Sequence, residues 1–399
     1  LNSVRDVSKE LQLIPKMSGF LDALTIVWRT RHLGKYGLFS LKRVIDWHIK
    51  DPLLKIILNS QCGDHGLPPS KASFPLHCAV MEHYFSGGYY PKGGGSSIVD
   101  AMSRVIKKYN GDIRTKAQVK SILLDVNESK KAIGVELTNG EKIYANKVLS
   151  NADPSKTYFD LVGKEHLSKK LLTKLEQTIY SCTSLMLFLT VDMDVKSAGL
   201  DSGNIWVIPN RDMDDVYEEM MSSNIESNEY FSGLFISCTT LKDPTSFDGK
   251  HHVLEVITYV SYEPFEKFKD EKKRRSDEYL ELKERLTNKM INSLDRVIPN
   301  IKDCIVHKNL ATPITNEHYI NATNGCVYGT QKSLNQIGPN SFKPQSEIEN
   351  LYLCGASILS HGVAGASHSG VQTAARILNC KQEDLIKPNA NQKVTILEN

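Results

Sequence analysis

The sequence lacks both a long hydrophobic run and a closely spaced cysteine pair. No stretch of about 18 apolar residues occurs, so the sequence predicts no membrane-spanning helix. Its eight cysteines are scattered singly without a C-x-x-C pair, which indicates neither a zinc site nor a dithiol redox motif. Several lie in apolar runs, where cysteine behaves as a small buried hydrophobe. We therefore predict no metal site, and a reducing intracellular compartment is the simpler inference.

The beginning of the chain lacks the features of a targeting segment. It starts at Leu1 without an initiator Met, a charged n-region or an apolar h-region, so no signal or transit peptide is predicted. We expect the sequence to be the larger, C-terminal part of a longer protein. Formal net charge is only +3, which gives no argument for a nucleic-acid partner. Residues 1–60 hold ten Lys/Arg against five Asp/Glu, an excess compatible with peripheral contact to an anionic membrane and equally with a solvated helical face.

Apolar periodicity divides the chain into helical and strand-rich parts. Residues 1–60 have apolar positions near a 3.6-residue period, which predicts helices. Short alternating or apolar segments between 118 and 152, with Asn139-Gly140 as a hairpin turn, predict a small sheet. Residues 155–180 are predicted to be helical.

The second half of the chain shows a similar mixture. Antiparallel strands are predicted at 184–191, 203–208, 231–239 and 252–259, with a charged loop at 210–229. A charged helix is predicted from about Pro264 to Leu294.

The most informative motif lies between Leu351 and Gly370. The apolar run Leu351 to Cys354 leads into a loop of small residues, and a helix is predicted from about Gly365 to Leu378. This order places backbone N–H groups and the positive end of a helix dipole where an anion or a polarised carbonyl group can lie. Glycine in the loop allows close approach of the backbone to a ring system. A tight packing corner between strand and helix explains the pattern about equally well.

A second glycine-rich segment, Pro91 to Ser97, precedes a predicted helix from Ile98 to Tyr109. Such turns lead the backbone close to phosphates or rings, although a flexible surface loop has the same composition. It is neither G-x-G-x-x-G after a strand nor a Walker loop.

The two motifs in this order are similar to those of the phytoene desaturase, carotenoid isomerase and retinol saturase superfamily, within the amine-oxidase-like FAD enzymes. The resemblance also includes the segment Val148 to Pro154, and Thr312 to Thr315 leading to Tyr319, Gly325 and Tyr328-Gly329. It covers essentially the whole chain, and the C-terminal motif is its most specific part. It implies a mixed α/β (α+β) fold, namely a Rossmann-like FAD/NAD(P)-binding flavoprotein with a substrate domain of antiparallel sheet and helices.

The resemblance also implies a set of FAD-binding residues. The C-terminal strand, loop and helix would contact the isoalloxazine ring, the glycine-rich loop would approach the cofactor, and the following strand would present its backbone to the adenine end. The implied residues are Gly93, Gly94, Gly95, Val119, Gly355, Ala356, Ser357, Gly362, Val363, Gly365 and Ala366. No catalytic residue is implied, because a flavin moves hydride itself and needs few protein acids or bases.

The same resemblance implies a division of the chain. The expected parts are 1–85 as the helical part of a substrate domain, 86–154 as an FAD-binding segment, 155–310 as the rest of the substrate domain, 311–380 as a C-terminal FAD-binding segment, and 381–399 as a frayed tail.

One family feature is missing. The G-x-G-x-x-G turn that binds the ADP pyrophosphate in this family has no counterpart here. The fold is therefore expected to lack its first βαβ unit, and the fragment alone is expected to be inactive.

The resemblance implies an FAD-dependent oxidoreductase that desaturates, saturates or isomerises carbon–carbon bonds of an apolar polyene or lipid. Two alternatives remain at this point. An amine or amino-acid oxidase of the same fold would place aromatic side chains before the flavin, and Tyr319 and Tyr328 are the candidates. A non-catalytic lipid-binding remnant would have kept the fold without the cofactor.

His361 is a candidate for tuning the flavin or relaying a proton, although a polar loop residue bonded to backbone fits equally. The pair His251-His252 has no third ligand at useful spacing, so a metal site there is not predicted.

Overall fold

The computed structural model describes residues 1–13, 20–125, 130–270, 276–386 and 395–397. The chain divides into two compact units, each built from segments that are distant in sequence. The first comprises Leu1–Ser97, Cys182–Ile314 and Lys332–Asn335, and the second comprises Ile98–Ser181, Thr315–Gln331 and Gln336–Asn399.

The first unit begins with short helices, as the 3.6-residue apolar period predicts. They are α1 (Asn2–Leu13), α2 (Phe20–Arg29), α3 (Arg31–Tyr36), α4 (Leu41–His48), α5 (Pro52–Asn59), a 3₁₀ turn (Ser60–His65) and α6 (Phe74–Tyr84). Ser40, Asp51 and Ser73 cap three of these helices with their side chains, each accepting from a backbone N–H three residues on. Their buried side chains form one apolar cluster around Leu41, Cys62 and Phe74.

An antiparallel sheet of five strands forms the other part of the first unit. The strands are β5 (Thr183–Val191), β6 (Asn204–Val207), β7 (Leu234–Cys238), β8 (His252–Val260) and β9 (Ile305–Ala311). Their order across the sheet is β6-β7-β8-β5-β9. Alternation along β5 and β8 buries one face, where Leu187 and Leu254 pack with Leu286 of the long helix α12 (Asp277–Asp295).

Three expectations for this unit need correction. The predicted charged loop at 210–229 contains a helix, α9 (Met213–Met220), that Asp212 caps. The predicted helix from Pro264 to Leu294 consists of α11 (Glu263–Glu266) and α12, and residues 271–275 between them lie outside the described residues. Strand β9 was not predicted. Another helix, α10 (Thr239–Lys242), lies between β7 and β8.

The second unit contains most of α7 (Gly94–Lys108) and two small sheets. Strands β1 (Val119–Asp125), β2 (Lys131–Leu137) and β3 (Lys142–Tyr144) form an antiparallel sheet, and β4 (Val148–Ser150) pairs in parallel with β10 (Leu351–Leu353). The remaining helices of the unit are α8 (Lys169–Glu176), α13 (Pro313–Ile320, which begins in the first unit), α14 (Gly362–Leu378) and α15 (Gln382–Leu385).

The segment 155–180 is only partly an α-helix, because a π-helical turn (Lys156–Val162) and a short 3₁₀ turn precede α8. In the predicted tail, α15 is formed, and residues 387–394 and 398–399 lie outside the described residues.

Helix α7 is apolar along one side, yet none of its residues is buried. Val99, Met102 and Val105 are each more than half exposed. Among the described helices of the chain, none combines the length and the apolar character needed to cross a lipid bilayer.

Candidate functional site

The C-terminal strand, loop and helix form a corner that buried hydroxyl groups hold together. The Ser369 hydroxyl accepts from the backbone N–H of Gly355 at 3.0 Å, and the Thr373 hydroxyl donates to the carbonyl oxygen of Leu353 at 2.9 Å. Both hydroxyl residues are fully buried. Since buried hydrogen bonds are costly to break, α14 is fixed against the end of β10.

Three of the predicted FAD-binding residues lie in this corner, and two of them make contacts that hold it together. Gly355 has φ +98°, and a Cβ atom there would overlap the Asn151 side chain at the end of β4. Ser357 is buried, and its hydroxyl and carbonyl oxygens accept hydrogen bonds from Thr330. Ala356 lies between them and is partly buried. Gly355 and Ser357 therefore hold the loop in shape.

The other part of the set lies at the beginning of α14. This helix begins at Gly362, three residues earlier than predicted, directly after His361, whose backbone is extended. Gly362 is exposed with φ +73° and open space where a Cβ would be, and Val363 is 69% exposed. At Gly365, by contrast, an added Cβ atom would come within 2.7 Å of the Ser360 backbone, and the next residue, Ala366, is partly buried.

Among the described residues, the N-cap residue His361 makes no capping hydrogen bond with its side chain to the first turn of α14. Its first backbone N–H groups therefore remain available, and the dipole of a 17-residue helix places partial positive charge there. An electron-rich carbonyl or ring nitrogen is the kind of group that this position stabilises.

Two aromatic candidates were predicted near this site. The Tyr328 ring lies on His361, with ring centroids 4.4 Å apart and an interplanar angle of 39°. Its backbone N–H donates to the Ser181 hydroxyl at 2.9 Å, which fixes the turn that carries it. Tyr319 is 78% exposed and contacts the ring of His318.

The glycine-rich loop belongs to the first unit. Helix α7 begins at Gly94, four residues before the predicted Ile98, so Gly94 and Gly95 form its first turn. The Gly93 N–H donates to the Asp243 carboxylate at 2.8 Å, which anchors the loop beside α10. Gly93 and Gly95 are exposed, with room for close approach to their backbone.

Val119, the predicted adenine-side contact, is the first residue of β1 and pairs with Leu137. Its side chain is half-buried. Val119 lies in the sheet of β1 to β3. The other predicted FAD-binding residues of the second unit lie at the C-terminal corner.

Two observations show that the residues at the beginning of α14 fit a flavin cofactor. The first turn of α14 is uncapped and exposed, and a space free of protein atoms adjoins Gly362. Flavins build up negative charge at the pyrimidine end on reduction, which such a helix end stabilises. The predicted FAD is therefore chemically compatible with this corner.

A narrow apolar pocket lies within the first unit, on the face of the five-stranded sheet that does not pack on α12. Trp206, Phe235 and Ile257 line it from three adjacent strands, and Tyr217 of α9 closes one side. The Trp206 ring packs directly on Gly63, where a Cβ atom would have no room. The pocket therefore offers an apolar, aromatic surface for a hydrophobic ligand.

The predicted absence of a metal pair at His251-His252 stays a prediction. Each ring has another role in the structure, since His251 lies 2.8 Å from Asp248 and His252 lies 2.8 Å from the Thr240 hydroxyl. Within the described ranges, no group of three or more His, Cys, Asp or Glu side chains is arranged to hold a metal ion.

Sequence analysis did not assign Asn151, Ser369 or Thr373 to the site. The last two could have been found, because hydroxyl residues four apart on a helix of small residues share one face. The contact of Asn151 with Gly355 joins positions about two hundred residues apart, and no local pattern indicates it.

Comparison with known proteins identifies the family of the chain. Residues 63–378 match the family of flavin containing amine oxidoreductases. An all-trans-retinol 13,14-reductase from Danio rerio is 31% identical over 382 residues, covering 92% of this chain and 62% of that protein. A chloroplastic prolycopene isomerase from Daucus carota is 26% identical over 337 residues, covering 82% of this chain and 51% of that protein.

The fold is also found in a solved structure, an oxidoreductase from Methanosarcina mazei. The TM-score is 0.59 at 16% identity, covering 92% of this chain and 75% of that one. The mixed helix-and-sheet flavoprotein fold and the superfamily expected from the sequence are confirmed, and so is FAD as the cofactor. The chain spans less than two thirds of the length of the curated relatives it matches. Because the matching family model covers most of its length, the chain belongs to the flavin containing amine oxidoreductase family.

Proposed function

We propose that the protein to which this chain belongs is an FAD-dependent oxidoreductase acting on carbon–carbon double bonds of an apolar polyene or lipid, by saturation, desaturation or cis/trans isomerisation. The relatives named above act on retinol and prolycopene, which supports this substrate class. The observation that carries the proposal is the aromatic pocket beside Trp206 and Phe235, since its lining favours a hydrocarbon over a charged substrate.

The proposal assigns the cofactor to positions of the second unit. The turn at Gly362 to Ala366, supported by Gly355 to Ser357, would hold the flavin ring, and Val119 would contact the adenine end. Gly93 to Gly95 stay predicted FAD contacts. When bound, FAD accepts or returns a hydride. The helix end stabilises negative charge, and the pocket binds the polyene and excludes water.

The test uses the full-length protein, purified and examined for a flavin absorbance band. We expect bound FAD and, under reducing anaerobic conditions, conversion of all-trans-retinol or prolycopene to a product that chromatography resolves. Phe235→Ala is expected to raise KM several-fold because it removes part of the apolar contact area. Phe247→Ala, at a 37% exposed ring stacked on His252, is the control that leaves KM unchanged.

Three outcomes contradict the proposal in different ways. Protein without flavin, even after FAD is added, would indicate a lipid-binding remnant. Oxidation of amines with no turnover of polyenes would indicate an amine oxidase. An unchanged KM in Phe235→Ala would show that the pocket does not bind the substrate.

We also propose peripheral contact with a membrane through the helices of residues 1–60. Val27 and Trp28 of α2 are 81% and 75% exposed, and Trp47 and Ile57 add exposed apolar area on α4 and α5. Basic residues are in twofold excess in this segment, which favours anionic lipid headgroups.

Vesicles containing phosphatidylserine should co-sediment with the protein, and Trp28→Ser should reduce the bound fraction. Tyr109→Ser, at a 75% exposed aromatic residue directly after α7, is the matched control. Equal sedimentation of wild type with and without vesicles would overturn this proposal.

A further inference from the structure

The aromatic pocket of the first unit is smaller than the ligand that the proposed function assigns to it. Its cavity volume is about 40 Å³, which is enough for a few water molecules. Sites that enclose small organic molecules commonly measure about 300–1,000 Å³. A polyene can therefore enter this pocket only if one of its walls moves outward.

One wall of the pocket is the short helix α9, which lies in the connection between β6 and β7. Four of its residues line the cavity, namely Met213, Val216, Tyr217 and Met220. The facing wall consists of β6, β7 and β8, which are joined to one another by main-chain hydrogen bonds along their length. A single helix of two turns can move as one body, whereas strands inside a sheet cannot separate without losing those bonds. Helix α9 is therefore the wall that can move.

The C-terminal end of α9 is tied to the segment that returns to β7. Glu219 accepts hydrogen bonds from the Asn228 side-chain amide at 2.8 Å and from the Ser232 hydroxyl. That segment is in turn attached to α12, because the Phe231 N–H donates to the Ser293 hydroxyl at 2.9 Å. This end of the helix is held in place by neutral hydrogen bonds as well as by charge.

The N-terminal end of α9 is held by the Lys42 cluster, which consists of Lys42 on α4 and the carboxylates of Asp212 and Asp214. The ammonium group lies 2.8 Å from each carboxylate, and Asp214 also accepts from the Ser70 N–H at 3.1 Å. The three charged side chains are 34%, 48% and 22% exposed, in the same order. Ion pairs with such exposure are weak, and salt weakens them further. This end of the helix is therefore the end that can be released.

Building on the proposed function, we propose that α9 is a lid over the pocket, with its hinge near Glu219 and the Lys42 cluster holding it closed. When the cluster separates, the N-terminal end of α9 moves outward and Met213 and Tyr217 leave space for the ligand. Residues 208–211, which form neither helix nor strand, connect this end to β6 and absorb the movement. The apolar surface of the ligand then replaces the contacts that the lid residues lose. Entry of the ligand depends on the Lys42 cluster and on ionic strength.

The first measurement is backbone hydrogen exchange of the full-length, FAD-loaded protein, followed by mass spectrometry without a ligand. Lys42→Met should raise exchange across residues 213–220 about three- to tenfold, the range expected for the loss of two partly exposed ion pairs. Lys42→Arg, which keeps the positive charge, should exchange like wild type. Raising NaCl from about 20 mM to about 500 mM should accelerate exchange of α9 in wild type, because salt screens the ion pairs. The same change should have no effect on α9 in Lys42→Met.

The second measurement is the association rate of all-trans-retinol, followed by quenching of tryptophan fluorescence, to which Trp206 in the pocket contributes. Lys42→Met should bind about three- to tenfold faster than wild type, since the rate rises with the population of the open lid. Lys308→Met is the control, because it removes a partly exposed ion pair with Glu284 elsewhere in the same unit. It should leave exchange of α9 and the association rate unchanged. Asp212→Asn, which removes the charge and keeps a capping side chain, tests the cluster independently if Lys42→Met is misfolded.

Each other outcome overturns a distinct part of the reasoning. Unchanged exchange of α9 in Lys42→Met would refute the role of the cluster. Equal increases in α9 and α12 would show that Lys42 stabilises the whole unit and that α9 does not open by itself. Faster exchange of α9 without faster association of retinol would show that the ligand does not enter past this helix. Failure of retinol to bind while α9 still responds to Lys42→Met and to salt would refute the proposed substrate class and support the movement of the lid.

Discussion

The substitution Gly355→Ala tests the corner that supports the flavin site. A Cβ atom at this position would overlap the Asn151 side chain, and φ of +98° is a conformation that residues with side chains rarely adopt. The backbone strain costs about 1–3 kcal/mol. A shift of the Gly355 backbone also weakens the hydrogen bond that its N–H donates to the buried Ser369 hydroxyl, which adds roughly 1 kcal/mol. We expect a total loss of about 2–4 kcal/mol in the free energy of unfolding of the second unit.

Gly362→Ala provides the comparison, because that glycine also has positive φ but open space around its Cβ position. It should lose only the stability that backbone strain costs. Thermal unfolding, followed by circular dichroism together with release of bound flavin, measures both variants. For a unit of this size each kcal/mol shifts Tm by roughly 2–4 °C, so Gly355→Ala should unfold about 4–16 °C below wild type.

A double variant, Gly355→Ala with Asn151→Ala, separates the two causes. It should recover part of the lost stability, since the shorter side chain removes the overlap and leaves the strain. The reasoning would be refuted if Gly355→Ala were no less stable than Gly362→Ala. It would also be refuted if the double variant lost more free energy of unfolding than the two single variants lose together.

Three further predictions concern other parts of the chain. Leu286→Ala, at a fully buried position on α12, should lower stability by about 2–5 kcal/mol in denaturant unfolding, whereas Leu280→Ala, half exposed on the same helix, should change it little; similar losses would contradict the assigned core. Ser369→Ala and Thr373→Val should each cost about 1–3 kcal/mol in thermal unfolding because they leave buried backbone groups without partners; a neutral result would show that these hydroxyls are dispensable. Burial lowers the pKa of His77 from its usual value of 6.5 to about 4, so below pH 6.5 the unfolded chain binds a proton that the folded chain does not, and stability should fall by about 2 kcal/mol between pH 7 and 5; His77→Gln should reduce this pH dependence, and an unchanged profile would argue against the assignment.

Local patterns were sufficient for the regular parts of the fold. The alternating residues of β5 and β8 identified both strands within one residue at most ends, because each strand has one fully buried face. Strand β9 was missed because it lies at an edge of its sheet, where exposed residues such as His307 and Lys308 break the alternation.

Helix α9 shows a signal that was present but overlooked. Met213, Val216, Tyr217 and Met220 have helical spacing, and the acidic residues between them gave the segment the composition of a loop. Its N-cap, Asp212, was a further indication.

The sequence predicted which residues form the corner of the candidate site, and it did not predict which contacts each of them makes. The motif from Leu351 to Gly370 predicted a strand, a loop and a helix that the structure brings together in one corner, and the assignment of the flavin to that corner stays a prediction. The motif could not show that Gly355 is occupied with Asn151 and Ser369 while Gly362 is open, since those contacts depend on a strand from elsewhere in the chain.

The parallel pairing of β4 with β10 has a consequence for synthesis of the chain on the ribosome. Val148 emerges long before its partner Leu351, and the five-stranded sheet of the first unit is made between them. At about 5–20 residues per second, the interval is roughly 10–40 s. During that time the apolar residues that later cover β4 are absent, so nascent chains halted between these two strands should be preferred clients of ribosome-associated chaperones.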